Sequence, residues 1–293
     1  MRSVIGRLTS GGEPGLNEPS GLAVLPFGRD VRWRDDPDSV RPTVVVLGGF
    51  LTAPPMYRRF VDRLRARGAA GVVVASVWTP DWLLAGRRGP GAIATRSARA
   101  LLAAGRLSAE VSGGAPVLVI GHSAGGLIAR ILTAAEPLPG KRFGAMARIG
   151  AIATLGTPHV MAEGEGIGKR MNALVTRVAE AAAPGTCHSP MIGYVSVASR
   201  AIRADPAGTG RERVAYLLYR SVLGRAAVPG TEGDGLVPVA SAFLAGSRQM
   251  TVDDAVHGPS AGAPWYGTDG PMDVGWPAAL SSWHDALRYR TGR

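Results

Sequence analysis

The sequence is poor in cysteine, and it has no long apolar run. Cys187 is the single cysteine among 293 residues, so the chain cannot form an internal disulfide. No stretch of about 18 consecutive apolar residues occurs, which argues against a transmembrane helix. Residues 1–26 lack the compact apolar segment of a secretory signal peptide, and we therefore expect a cytoplasmic protein.

Lysine is also scarce, since Lys141 and Lys169 are the only two, and the net charge of +11 is almost entirely due to arginine. The arginines are spread along the chain and are not interleaved with aromatic residues in one segment. We therefore expect a solvated basic surface and no nucleic-acid partner. Peripheral contact with anionic lipid is a further hypothesis that this charge suggests.

From residue 43 onward, apolar runs of strand length alternate with amphipathic segments of helical length. Strands are expected at 43–47, 71–77, 116–120, 148–155, 194–199 and 248–252, and helices at 54–67, 93–111, 127–135, 167–183, 213–222 and 277–290. Alternation at this spacing predicts an α/β fold with a mostly parallel central sheet and helices on both faces. Cofactors and metals are not expected.

This pattern predicts one main domain, formed by residues 43–293. The domain contains two insertions, 160–189 and 201–231, which are candidate lids. Residues 1–42 are expected to be an extension, in which 21–27 and 31–34 have the composition of edge strands.

A Gly-x-Ser-x-Gly segment lies between one of these strands and the helix that follows it. Gly121 and Gly125 flank Ser123. A sharp strand-to-helix turn brings backbones too close together for side chains at the flanking positions, and it exposes the serine hydroxyl at the end of the sheet. This arrangement resembles the nucleophile elbow of α/β-hydrolases, and it predicts Ser123 as a nucleophile. Cys187 is a less favoured nucleophile, because its loop has no strand and helix around it.

A serine nucleophile needs a histidine base later in the chain. His257 is the preferred candidate because it follows the last expected strand in a short loop that ends in Gly258 and Pro259. The alternatives are His122, His159, His188 and His284.

The base in turn needs a carboxylate that orients its ring. Asp234 lies between two glycines ahead of an apolar segment, which suits a loop that presents one side chain to a histidine. A plain turn aspartate has the same local pattern. Glu232, Asp253 and Asp254 are the alternatives.

Two backbone N–H groups are expected to bind the oxyanion that develops on the substrate carbonyl. One belongs to Ala124, the residue after the nucleophile, and the other to Phe50 in the glycine-rich loop after the first strand, with Leu51 as the next choice. The side chains of Leu51, Trp82 and Trp265 are expected to contact substrate, and Met56 and Trp78 are further candidates near the mouth of the site.

Several motifs together resemble a known family. They are Leu-Gly-Gly-Phe-Leu at 47–51, Gly-His-Ser-Ala-Gly-Gly at 121–126, Thr-Leu-Gly-Thr-Pro-His at 154–159, Gly-Asp-Gly-Leu-Val-Pro-Val at 233–239, Val-His-Gly-Pro at 256–259 and Trp-Tyr-Gly at 265–267. In this order they resemble the serine lipases and esterases of the α/β-hydrolase superfamily, in particular a lipase-like group from plants, cyanobacteria and other bacteria. The resemblance implies Ser123, Asp234 and His257 as a catalytic triad.

The resulting hypothesis is a serine esterase or lipase that acts on a small ester with an apolar acyl group. A thioesterase or acyltransferase with the same three residues is the alternative within enzymes. The non-enzymatic alternative is a binding protein that has a hydrolase-like fold but no catalytic activity.

Overall fold

The computed structural model describes residues 39–134, 143, 145–162, 167–259 and 263–292. The strands in chain order are β1 (Thr43–Leu47), β2 (Gly71–Val74), β3 (Val117–His122), β4 (Ile149–Leu155), β5 (Gly193–Ser199), β6 (Ile202–Arg203), β7 (Glu232–Gly233) and β8 (Arg248–Val252). The strands expected at 21–27 and 31–34 lie outside the described residues.

Six of the strands form one sheet, in the order β2-β1-β3-β4-β5-β8, and every pair in it is parallel. Strands β1, β3 and β4 are buried along their whole length. Continuous apolar runs are typical of strands covered on both faces, which explains their sequences. The short strands β6 and β7 form a separate antiparallel pair.

Helices cover both faces of this sheet. The α-helices in chain order are α1 (Arg58–Ala66), α2 (Thr79–Arg88), α3 (Gly91–Val111), α4 (Ala124–Thr133), α5 (Ile167–Ala182), α6 (Gly210–Leu223), α7 (Val239–Ala242) and α8 (Asp269–Thr291). Alternate residues of β1 point to the helical layers on opposite faces of the sheet. Val44 and Val46 pack with α1 and α8, whereas Val45 and Leu47 pack with α2, α3, α4 and α5. The parallel sheet with helices on both faces has the architecture of the α/β-hydrolase fold, as predicted.

The structure departs from the expected elements at α8. The helix was expected to begin at Pro277 but begins at Asp269, and Pro277 lies inside it. Proline is favoured in the first helical turn because it has no N–H to donate, so the sequence pattern suggested a start there. The two earlier turns bury Met272 and Trp276 against the sheet, and this packing overrides the local preference.

Helix α2 was not expected. It contains Pro80. The strand before it, β2, ends at Val74, three residues before the end predicted for that strand at residue 77. The Asp81 carboxylate accepts a hydrogen bond from the Trp78 N–H at 2.9 Å, which satisfies one free donor at the start of the helix. Trp82 is 1% exposed and anchors the helix in the core.

The two insertions differ in position. In 160–189, the C-terminal half of α5 packs on α4 with Val175 and Ala179 buried, so it belongs to the helical layer. In 201–231, α6 begins at Thr209, whose Oγ1 accepts a hydrogen bond from the Glu212 N–H, while the Glu212 carboxylate accepts one from the Thr209 N–H. This capping box extends α6 three residues before its predicted start.

No described helix is long and apolar enough to span a lipid bilayer.

Candidate active site

Ser123 lies in a strained turn between β3 and α4. Its backbone has φ 53° and ψ −129°, a conformation that residues other than glycine rarely adopt. A Cβ at Gly121 would collide with the backbone of Gly126, and a Cβ at Gly125 would collide with the carbonyl oxygen of Leu47. The two glycines are therefore required by close backbone contacts on either side of the serine, as the motif predicted.

The structure brings Ser123, His257 and Asp234 together from three distant parts of the chain. His257 Nε2 is 2.9 Å from Ser123 Oγ, and His257 Nδ1 is 2.8 Å from Asp234 Oδ2. A carboxylate only accepts hydrogen bonds, so Nδ1 carries the ring proton. Nε2 is then free to accept the hydroxyl proton of the serine, which is the arrangement a general base needs.

Asp234 is fully buried and has four hydrogen-bond donors. The N–H groups of Leu236 and Val237 donate to Oδ1 at 2.9 and 2.7 Å, and the Tyr266 hydroxyl donates to Oδ2 at 2.9 Å beside His257. Burial alone would raise the pKa of Asp234. The charge of His257, its hydrogen bond and the two backbone donors outweigh burial and lower the pKa below its ordinary value. The carboxylate is therefore ionised at neutral pH.

His122 connects the loop after β1 with the loop that carries His257. Its Nε2 is 2.6 Å from the His257 carbonyl oxygen, and its Nδ1 is 2.8 Å from the Tyr57 hydroxyl. Burial, followed by the charge of His257, lowers the pKa of His122 to about 3, so the ring is neutral. Since a carbonyl only accepts, the proton of His122 is on Nε2, and Tyr57 must donate to Nδ1. The Gly49 N–H in turn donates to the Tyr57 oxygen at 3.1 Å.

Tyr57 and Tyr266 were missed in the sequence analysis. Tyr266 lies within the Trp-Tyr-Gly motif that contributed to the family resemblance, so a signal for it was present. Tyr57 is an apolar-face residue before α1, and nothing in its local sequence distinguishes it from a core tyrosine. Burial is the main cause that raises the pKa of Tyr57 to about 12, so its hydroxyl stays protonated and can donate.

The two expected oxyanion donors lie on either side of the serine. Ala124 is the first residue of α4, where backbone N–H groups have no partner within the helix. The loop after β1 comes so close that a Cβ on Gly49 would lie 2.7 Å from the Ser123 Cβ. Among the described residues, the Phe50 N–H has no hydrogen-bond partner. These positions are compatible with the expected role of Phe50 and Ala124, which stays a prediction.

A cavity of about 820 Å³ opens at Ser123 and His257. Its apolar lining includes Phe50, Leu51, Met56, Pro158, Met161 and Val214. Helix α6 and the start of insertion 160–189 thus form part of its wall. A cavity of this size and character suits a small apolar ligand.

Leu51 lines this cavity, whereas Trp82 and Trp265 are absent from its lining and Trp265 lines a neighbouring cavity. Contact of Leu51 and Trp265 with substrate stays a prediction, and the burial of Trp82 argues against the contact predicted for it. Trp82 is buried in the core under Phe50, with ring centroids 5.9 Å apart. Trp265 is 6% exposed and packs its ring edge against Tyr57 and His122. The large apolar area of both indoles is buried by the sheet and the helices.

The other candidate histidines and acids lie elsewhere. His159 binds Thr154 and Arg130 in the interior, and His284 packs on Trp283 in α8. Asp253 and Asp254 are exposed beyond β8. In the part of the chain that the structure describes, no cluster of three histidine, cysteine or acidic residues could hold a metal ion.

Comparisons with known proteins find similarity in structure but not in sequence. No family model and no curated protein matches the chain. The mature lipase BlEst2 of Bacillus licheniformis is 13% identical, with 87% of this chain and 91% of that chain covered and a TM-score of 0.48. A propionate-bound esterase, Est2 of Thermogutta terrifontis, is 16% identical, with 89% and 87% covered and a TM-score of 0.43. Est1E of Butyrivibrio proteoclasticus is 12% identical, with 87% and 90% covered and a TM-score of 0.40.

Proposed function

We propose that this protein is a serine hydrolase that cleaves carboxylic esters with an apolar acyl group. The observation that carries the proposal is the hydrogen-bonded series Ser123, His257 and Asp234 at the rim of an apolar cavity. A serine hydroxyl in ordinary surroundings is a weak nucleophile, and a base held in one tautomer by a buried carboxylate is the usual means of activating it.

In the proposed acylation step, Ser123 Oγ attacks the ester carbonyl carbon while its proton passes to His257 Nε2. The negative charge that develops on the carbonyl oxygen is bound by the N–H groups of Phe50 and Ala124. The bond from carbon to the leaving oxygen then breaks, and His257 gives its proton to that oxygen. The products of this half-reaction are the free alcohol and an acyl ester on Ser123.

In the deacylation step, His257 takes a proton from a water molecule, which attacks the acyl carbon. The bond to Ser123 Oγ breaks, the serine recovers its proton from His257, and the carboxylic acid leaves. Asp234 keeps the proton of His257 on Nδ1 in both steps and stabilises the imidazolium that forms transiently. The low pKa of Asp234 is consistent with this role, since only the ionised form can do both.

The Tyr57–His122 pair supports this machinery indirectly. It joins Gly49, next to the proposed oxyanion donor Phe50, to the backbone of His257 through three hydrogen bonds. We therefore assign Tyr57 and His122 as positioning residues that hold the oxyanion loop and the base loop at a constant separation.

The test is hydrolysis of 4-nitrophenyl esters of increasing acyl length by the wild type, Ser123→Ala and Ser281→Ala. Ser281 lies in α8 and outside the cavity lining, so it is the matched control. We expect Ser123→Ala to lose at least about 10³-fold in kcat, and labelling by a fluorophosphonate probe to disappear in that variant alone. Labelling without ester turnover would favour a thioesterase or acyltransferase, which competing thiol and alcohol acceptors would identify. If the folded wild type shows neither probe labelling nor ester turnover, a binding protein without catalysis is favoured.

A further inference from the structure

A second cavity, of about 700 Å³, adjoins the first one between α1 and the start of α8. Met56 and Pro259 line both cavities, so the two are neighbours with a shared wall. The character of the second cavity is different, because its lining includes Arg58, Arg59, Arg63, Asp254, Trp265 and Pro271. We name it the arginine cavity.

Positive charge in the arginine cavity is only partly compensated. Arg63 donates to the carboxylate of Asp269 at 3.1 Å. Arg58 and Arg59 are exposed, and they form no ion pair with any acidic residue in the described part of the chain. Among the described residues of the lining, Asp254 is the one carboxylate. It lies close to Gly270 in the first turn of α8, where the helix dipole favours a negative charge. Two guanidinium groups are thus available to an anion from outside.

The chemistry of the triad determines which part of a substrate would reach this cavity. His257 gives its proton to the leaving group, so the leaving atom must lie against His257 Nε2 during acylation. Gly258 and Pro259 follow His257 along the wall of the first cavity, and Pro259 also lines the arginine cavity. A leaving group that extends past His257 along this wall therefore arrives at Arg58 and Arg59, while the acyl group stays among the apolar side chains.

We infer that the preferred substrates carry a phosphate group on the leaving alcohol or thiol, and that Arg58 and Arg59 bind this phosphate. This inference rests on the proposed function and names the substrate class of that site. Guanidinium groups bind phosphate through paired N–H donors, and two of them match the several oxygens and the charge of a phosphate ester. In the reaction the acyl group passes to Ser123 Oγ, and the phosphorylated leaving group departs with the proton from His257.

The experiment compares three substrates that share a butyryl group. The first is 4-nitrophenyl butyrate, whose leaving group carries no charge in the bound ester. The second is butyryl-coenzyme A, a soluble thioester whose leaving thiol carries phosphate groups. The third is dibutyryl phosphatidic acid, a short-chain lipid whose leaving alcohol carries a phosphate group. Values of kcat/KM are measured for the wild type and for the double variant Arg58→Gln/Arg59→Gln. The control Arg65→Gln/Arg99→Gln removes two exposed arginines from α1 and α3 that do not line the cavity.

We expect the double variant to lose about tenfold or more in kcat/KM on at least one phosphate-bearing substrate, and to stay within about twofold of wild type on 4-nitrophenyl butyrate. The loss should be confined to butyryl-coenzyme A if the phosphate source is a soluble thiol and to the phosphatidic acid if it is a lipid. Raising ionic strength from about 0.05 M to about 0.5 M should weaken turnover of the phosphate-bearing substrate in the wild type more than in the variant, because exposed charges are screened by salt.

The inference is wrong if 4-nitrophenyl butyrate is hydrolysed but Arg58→Gln/Arg59→Gln changes kcat/KM by the same factor on all three substrates. It is also wrong if this variant changes kcat/KM on none of them. An equal loss in the control double variant would also overturn it, because net charge rather than the arginine cavity would then be responsible. If the folded wild type hydrolyses none of the three, the proposed function fails and not the assignment of the cavity alone.

Discussion

Substitution of Asp234 by asparagine is the sharpest test of the proposed triad, because the structure determines how the amide must orient. Oδ1 of Asp234 accepts two backbone N–H groups, from Leu236 and Val237. These donors would select the oxygen of an asparagine amide, and its NH2 group would therefore point to His257 and Tyr266. His257 Nδ1 would then have to accept a hydrogen bond rather than donate one.

The consequence is a change of tautomer with little change of shape. With Nδ1 as an acceptor, the ring proton moves to Nε2, which lies 2.9 Å from Ser123 Oγ and can no longer take the hydroxyl proton. We expect kcat to fall by about 10⁴-fold, as for the same substitution in other serine triads, which corresponds to about 5.4 kcal/mol of lost transition-state stabilisation. The free energy of unfolding should change less, by under about 3 kcal/mol, because the amide keeps most of the hydrogen bonds of the carboxylate.

The assay measures kcat on 4-nitrophenyl butyrate for wild type, Asp234→Asn and the control Asp253→Asn, with urea unfolding of each. Asp253 is an exposed carboxylate beyond β8 and was a rival for the acid in the sequence. If Asp234→Asn keeps the native unfolding curve and loses less than about tenfold in kcat, Asp234 does not set the tautomer of His257. A large loss in Asp253→Asn would point to a different acid and refute the reasoning as well.

Two further predictions concern buried groups around the site. Tyr57→Phe removes the hydroxyl between the Gly49 N–H and His122 Nδ1, so the free energy of unfolding should fall by about 1–3 kcal/mol and kcat should fall as well. Urea unfolding and kcat, with the exposed Tyr289→Phe as control, measure this, and unchanged values in Tyr57→Phe would contradict it. His122 and His159 have pKa values of about 3 in the folded chain because of burial, whereas an unfolded histidine titrates near about 6.5. Between these values the unfolded chain binds the extra protons, so stability should fall as pH decreases from about 6.5, by up to about 1.4 kcal/mol per pH unit for each ring. Urea unfolding at several pH values should show a slope that is smaller by about one proton in His159→Gln, and the same slope in both proteins would show that His159 is not held neutral.

Local sequence signals predicted the parallel layers and the turn at Ser123. An unbroken apolar strand such as β1 can only be stable when it is covered on both faces, and the glycines around Ser123 are required by contacts within a few residues. Boundaries were less accurate where packing dominated, as in α2 and at the start of α8. There Trp82 and Trp276 bury large apolar surfaces, and in α8 this burial stabilises helical turns that Pro277 disfavours locally.

The sequence by itself determined which residue types are available for the chemistry and their order along the chain. It also identified Ser123, Asp234 and His257 as candidates, because each has a recognisable local context in a loop. Only the tertiary structure decided which groups surround them. The contacts of Tyr266 with Asp234 and of Tyr57 with His122 join residues 32 and 65 positions apart. The direction of a buried hydroxyl depends on the packing of whole elements, which no local pattern encodes.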